Sequence, residues 1–250
     1  MNNAQDKIII ITGMHRSGTS LLANYLQKSG LNIGNTLMDS RSDNKRGFFE
    51  DTDFTELHQK LLDNKRIPLF TPKRPTFSPQ DISQLKKLVN KKNKKNTSNT
   101  WGWKDPRTVL FLRPYKKICP NANYIFIFRH PFLVIDSLIR RWSDWPIRLW
   151  PFNAARSWLI YNKKILDFYE QNKDHCLLIS LEKLIEKPDK LITQANQKYG
   201  ISLEPPKFEK IFDPKLLKRK KKLNILSQAV IYFFKAELLK LYQQLKEKEI

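Results

Sequence analysis

The sequence contains no run of about 18 apolar residues, so no segment reads as a membrane-spanning helix. Cysteine is scarce too. Cys119 and Cys176 are the only two, and their apolar contexts read as core thiols in a reducing compartment, not as a disulfide framework. No signal-peptide pattern separates Met1 from the first apolar stretch, so a cytoplasmic location is expected. Negative charge is the most conspicuous shortage, with 24 acidic against 46 basic residues and a net charge of +22. Much of that excess lies in residues 86–95 and 215–222. Solvated loop faces account for such runs as well as contact with an anionic polymer or membrane surface does. No aromatic-interleaved binding motif accompanies the lysines, so nucleic acid is not the expected partner.

What remains is ordinary globular material. A hydrophobic content of 40% over 250 residues suits one α/β domain with a sizeable core, and neither a repeat nor a linker divides the chain. The pattern turns specific near the start. Ile8 to Ile11 are four consecutive β-branched residues, as in a strand buried on both faces. Gly13 to Gly18 forms a turn, and Thr19 opens a helix with Leu22, Tyr25 and Leu26 at core spacing. A strand, a glycine-bounded turn and a helix start together aim backbone N–H groups at one anion. Against the nucleotide-binding pattern G-x-x-x-x-G-K-[ST], Gly13, Gly18 and Ser20 fit, but Thr19 stands in the lysine position. Without that lysine the loop is built for an anion but poorly built for ATP chemistry, and Arg16 is its only cation.

Further along, residues 30–34 suggest a brief second strand or a tight return, and Gly47-Phe48-Phe49-Glu50-Asp51 precedes a helix carrying Phe54, Leu57, Leu61 and Leu62. Asp51 and Glu50 at that helix start can be simple caps. Residues 66–100 read as a flexible insertion: four prolines, then a helix fading into lysine and asparagine. Trp101 to Lys104 forms a strand ending in Lys104-Asp105-Pro106-Arg107, with the proline seated at the next helix start. Asn123 to Phe128 is the clearest later strand; it ends in Arg129-His130, and Ser137 follows on the next helix. Open α/β sheets place their ligands at such strand ends. His130 is able to titrate there or simply to pack. A long helix is expected over 151–169, a fifth strand over 176–180, then a loop and helix over 181–199. The aromatic-rich stretch 142–158 suits either sugar stacking or core. The chain closes in a basic segment and C-terminal helix over 205–250, with Val230, Phe233, Phe234, Leu238, Leu241, Tyr242 and Leu245 expected on its buried side.

The ordered set resembles the sulfotransferase family, in particular bacterial carbohydrate-type members that begin Gly-Met-His-Arg-Ser-Gly-Thr-Ser. The resemblance implies a P-loop-like three-layer sandwich with a central, mostly parallel sheet of about five strands flanked by helices, in one domain spanning 1–250. It implies 3′-phosphoadenosine 5′-phosphosulfate (PAPS) as donor, 3′,5′-adenosine bisphosphate (PAP) as product, and no metal requirement. Arg16, Ser17, Gly18, Thr19 and Ser20 match the segment that cradles the 5′-phosphosulfate, while Arg129 and Ser137 match the pair that grips the 3′-phosphate. By the same likeness Arg16 and Lys104 act in catalysis, Glu50 is the first choice for general base, and Asp105 is the second. The acceptor implied is a hydroxyl of a sugar or glycolipid. The chain departs from the family at Leu21, where an adenine-stacking aromatic is usual, and it lacks the C-terminal Arg-Lys-Gly element, for which the basic stretch 212–222 is a substitute. Two other readings have signatures of their own. A small-molecule or nucleotide kinase conflicts with Thr19 and with the lack of a metal-binding strand-end aspartate. A non-catalytic polyanion-binding protein would show affinity that falls steeply with salt.

Overall fold

A computed structural model describes residues 7–34, 36–38, 47–71, 73–141, 144–213 and 222–250. Its four strands are β1 (Lys7–Gly13), β2 (Thr100–Lys104), β3 (Asn123–Phe128) and β4 (Cys176–Ser180), hydrogen-bonded in the order β2-β1-β3-β4. All three pairings are parallel. A purely parallel sheet needs both faces covered, and the isoleucine run supplies both. Ile9 and Ile11 point to one side and Ile10 to the other, each fully buried. Under Ile9 and Ile11 lie α1 (Thr19–Lys28), α8 (Leu181–Glu186) and α9 (Pro188–Tyr199). The Ile10 face carries the larger core, built with α2 (Thr52–Asn64), α3 (Pro79–Lys95), α4 (Leu112–Ile118), α5 (Pro131–Arg141), α6 (Trp145–Leu149), α7 (Phe152–Gln171) and α10 (Ile225–Lys246). The result is the expected three-layer α/β arrangement.

The sheet has four strands instead of about five. In the stretch 30–34 a single bridge joins Asn32 to Trp101. Gly30 and Gly34 have positive φ on either side of it, and Asn32 spends its side chain on the Gly34 amide and on Asn96. The backbone therefore turns before a ladder can grow. In the segment 66–100, α3 carries a Ser78–Asp81 capping box and buries Leu85, Leu88 and Val89 in the larger core. The loop-and-helix expected over 181–199 is two helices, α8 capped by Ser180 and α9 started by Pro188. Both cysteines are buried and free. Among the described residues, no helix is long and apolar enough to cross a membrane.

The C-terminal helix keeps most of its expected face, with Val230, Leu238, Leu241 and Leu245 buried and Phe234 and Tyr242 packed beside them. Phe233 is the exception and is 69% exposed. One residue turns a helix by about 100°, which carries Phe233 off the 230-234-238-241 stripe and out to solvent.

Candidate active site

Strand β1 ends at Gly13 and the chain turns through Met14 to Gly18 into α1. Arg16 takes a positive φ of 68° on the crown of this turn, and Gly18 takes 94° at the N-cap of α1. The positive φ at Gly18 favours glycine there, and a Cβ would also push the end of the Leu181 side chain aside. No side chain caps the helix. Its first amides, with the positive end of the helix dipole behind them, are therefore available to an anion. The Ser17 hydroxyl is buried without a hydrogen-bond partner among the described residues. A buried orphan hydroxyl inside such a loop is what an anion ligand would satisfy.

The residues singled out at 129 and 137 arrive at the same turn. Arg16 donates from Nε to the Ser137 hydroxyl at 3.0 Å, and Arg129 donates from Nη1 to the Arg16 carbonyl at 3.3 Å. Ser137 lies well inside α5, so the helix must cross the end of β3 to make this contact. Trp158 fixes the strand end from above by donating its indole N–H to the Arg129 carbonyl at 3.3 Å. His130 is used in packing, with its ring 4.8 Å from both Phe132 and Tyr242. Burial lowers its pKa, with Glu182 opposing.

A second cluster adjoins the loop through Ser20. Its hydroxyl donates to the Phe48 carbonyl at 3.3 Å and accepts from the Lys104 ammonium at the same distance. Lys104 is fully buried at the end of β2 and donates to Glu50 Oε1 at 2.8 Å. Arg107 Nη1 stands 3.6 Å from Glu50 Oε2, beyond a normal hydrogen bond. Phe54, at the start of α2, stacks on Trp103 of β2 with centroids 4.2 Å apart. That stacking locks α2, and hence the preceding Glu50, against Lys104. Burial lowers the Lys104 pKa, and Glu50 only partly offsets this.

Asp51 and Asp105 are occupied elsewhere. Asp51 caps α2 through the Asp53 amide and pairs with Lys92 of α3 at 2.5 Å. This is the capping alternative. Asp105 is fully buried, with Oδ1 taking the amide and guanidinium of Arg107 and Oδ2 lying 2.7 Å from His58 Nδ1. Burial by itself would raise its pKa, but Arg107 and the His58 contact hold it well below the carboxylate range. With both oxygens engaged and the residue fully buried, Asp105 is poorly placed to meet a substrate. His58 continues to the Tyr115 hydroxyl at 2.7 Å, and Thr12 donates to the Asp105 carbonyl at 2.8 Å.

Sequence reasoning missed His58 and Tyr115, which are 47 and 10 residues from Asp105 and carry no motif. It also missed His15, whose Nε2 is buried without a hydrogen-bond partner among the described residues, its ring edge-on to Phe70 and Tyr161. Burial, then the charge of Arg107, lowers its pKa to about 3. Its place beside Arg16 was the available signal. Most of the basic stretch 212–222 lies outside the described residues, as does Trp142.

The sequence pattern of the sulfotransferase family matches residues 9–205, which takes in both clusters. This chain belongs to the sulfotransferase family. Solved structures of other sulfotransferases share its fold at low identity. A sulfotransferase domain from the curacin biosynthetic pathway matches with TM-score 0.52 at 16% identity over 92% of this chain and 97% of that one. A sulfotransferase of Mycobacterium avium gives 0.56 at 15% over 94% and 77%. One from Alicyclobacillus acidocaldarius gives 0.55 at 15% over 97% and 96%. No curated protein matches the sequence.

Proposed function

We propose that this sulfotransferase uses PAPS as donor and sulfates a hydroxyl of a carbohydrate or glycolipid. The observation carrying the donor assignment is the meeting of Arg16, Ser137 and Arg129 at the uncapped start of α1. An arginine at a strand end and a serine on the following helix, brought to the crown of this loop, support a donor that carries a second anionic group. The orphan Ser17 hydroxyl and the α1 amides fit the 5′-phosphosulfate, with Arg16, Gly18, Thr19 and Ser20 completing the cradle. Arg129 and Ser137 fit the 3′-phosphate. When bound, PAPS supplies the sulfuryl group.

The chain's own residues then position, neutralise and take a proton. Arg16 and Lys104 place positive charge where oxygen charge develops, and in a dry site such charge counts for more than in water. Lys104 touches the cradle through Ser20 and holds Glu50 on its other side, so one buried ammonium sets the distance between donor and base. Glu50 is the proposed general base. Its Oε1 is committed to Lys104, while among the described residues Oε2 has the longer contact to Arg107 alone, and Oε2 is the oxygen left to receive the acceptor's proton. Asp105, with His58 and Tyr115 behind it, positions Arg107. The acceptor class follows the resemblance to carbohydrate-type members.

The direct test is thermal unfolding of the pure protein with PAP and, separately, with ATP and magnesium. Selective stabilisation by PAP is expected. Stabilisation by ATP–magnesium alone would sink the proposal in favour of a kinase, for which Thr19 offers no lysine. On the acceptor side, Glu50→Gln should abolish turnover while Asp105→Asn retains it per folded molecule. The reverse result exchanges the two roles.

A further inference from the structure

α10 is apolar on both sides. Its inner stripe enters the core, but Ile225, Tyr232, Phe233 and Leu239 face outward. Such a helix face is ordinarily charged in a soluble domain. Phe233 does not stand alone. Its ring lies 5.5 Å from Phe152 at the start of α7, which lies 5.7 Å from Trp150, and Tyr232 lies 5.8 Å from Phe233 on the other side. Trp145 and Leu149 of the neighbouring α6 are exposed as well. α6, the start of α7 and α10 thus present one aromatic surface, with Tyr232 79% and Trp150 53% exposed. Contiguous exposed apolar area of this kind marks a contact surface.

Its surroundings are basic. Arg148, Arg156, Lys222, Lys235 and Lys240 are exposed on the same elements or at their starts, and Glu237 is the sole acid within α10. A second copy of the chain would bring two bodies of net charge +22 together across this face. Repulsion therefore disfavours self-association and favours an anionic counterpart. Aromatic rings ringed by lysine and arginine match the boundary between lipid headgroups and acyl chains, where one part of the surface is apolar and the other wet and negative. The N-terminus of α10 is tied to α5, where Asn224 donates its amide to Asp136.

We propose that the surface formed by Trp145, Leu149, Trp150, Phe152, Tyr232 and Phe233 docks this enzyme peripherally on an anionic lipid bilayer.

The test is co-sedimentation of the full chain with vesicles of one-third phosphatidylglycerol in phosphatidylcholine, compared with pure phosphatidylcholine. Binding to the anionic vesicles is expected, with tryptophan fluorescence quenched by brominated acyl chains. The exposed double variant Trp150→Ser/Phe233→Ser should weaken vesicle binding by roughly tenfold or more. Tyr232→Ser/Ile225→Ser, on α10 alone, should weaken it less. Circular dichroism and PAP-induced stabilisation report that each variant is folded. Absence of binding to anionic vesicles overturns the proposal. So does binding that the folded double variant keeps in full, which would be charge alone. A concentration-dependent dimer in sedimentation equilibrium that the double variant abolishes assigns the face to a second copy instead. Heparin binding that the double variant loses, without vesicle binding, assigns it to an acidic polymer. Vesicle binding is read without turnover, so this outcome and the sulfuryl-transfer reading fail separately.

Discussion

Removing the Glu50 carboxylate should damage stability as well as turnover, because among the described residues Glu50 is the one carboxylate paired directly with Lys104. The ammonium is fully buried and pairs with Glu50 at 2.8 Å, with the Ser20 hydroxyl at 3.3 Å as its other contact. Breaking one side of a buried pair costs about 3–5 kcal/mol, since the surviving ion stays desolvated without compensation. At about 2–4 °C per kcal/mol for a domain of this length, Glu50→Ala should unfold roughly 6–20 °C below the parent. Lys104→Met in the Glu50→Ala background should recover much of that loss, because no charge is then left buried. The pH dependence has a definite sign. The folded pKa of Lys104 already lies below its ordinary 10.5, and removing Glu50 takes away its main upward influence. The unfolded chain then binds more protons than the folded one, so the stability of Glu50→Ala should rise as pH climbs toward 10.5. Thermal unfolding followed by circular dichroism between neutral and alkaline pH measures all three effects. A Glu50→Ala midpoint within roughly 2 °C of the parent, or a double variant no better than the single one, refutes the reasoning.

Arg129→Ala should weaken PAP binding by about 10- to 100-fold, the range for a hydrogen bond to a charged group, with little change in the unfolding midpoint. Ser137→Ala should lose less; isothermal titration distinguishes them, and unchanged affinity in Arg129→Ala removes the 3′-phosphate role. Asp105→Asn should lower stability by about 3 kcal/mol or more, through the loss of a buried charged contact to Arg107 and His58. Denaturant unfolding checks it, and a cost below about 1 kcal/mol would mean the network holds little together. His15 takes up its proton below about pH 6.5 in the unfolded chain, but only near pH 3 in the folded one. Acidification should therefore destabilise the fold from pH 6.5 downward, by about 2 kcal/mol at pH 5 from this residue. His15→Asn should flatten that part of the stability curve; an unaltered slope would show that His15 takes up its proton while folded.

Short-range order in the chain settled much of the architecture. The isoleucine run read as a strand covered on both faces, and the glycine-bounded turn into a helix read as a place where backbone amides meet one anion. The motif residues were legible for the same reason: Arg16 to Ser20, Lys104 to Arg107 and Arg129 each sit at the end of an apolar strand, and parallel pairing brings all such ends to one edge. What each residue does once there is a matter of contacts between segments far apart in the chain. Asp105 and Glu50 look alike as sequence, each an acid beside a motif; His58 and Arg107 enclose the first, while Lys104 leaves one oxygen of the second less engaged. Phe233 kept helical spacing loosely enough to pass for core, and only the packing of α10 on α5 and α7 turned it outward. Local propensity depends on a few neighbouring residues and can be read along the chain, whereas burial and charge pairing are properties of a surface that does not exist until the chain has closed on itself.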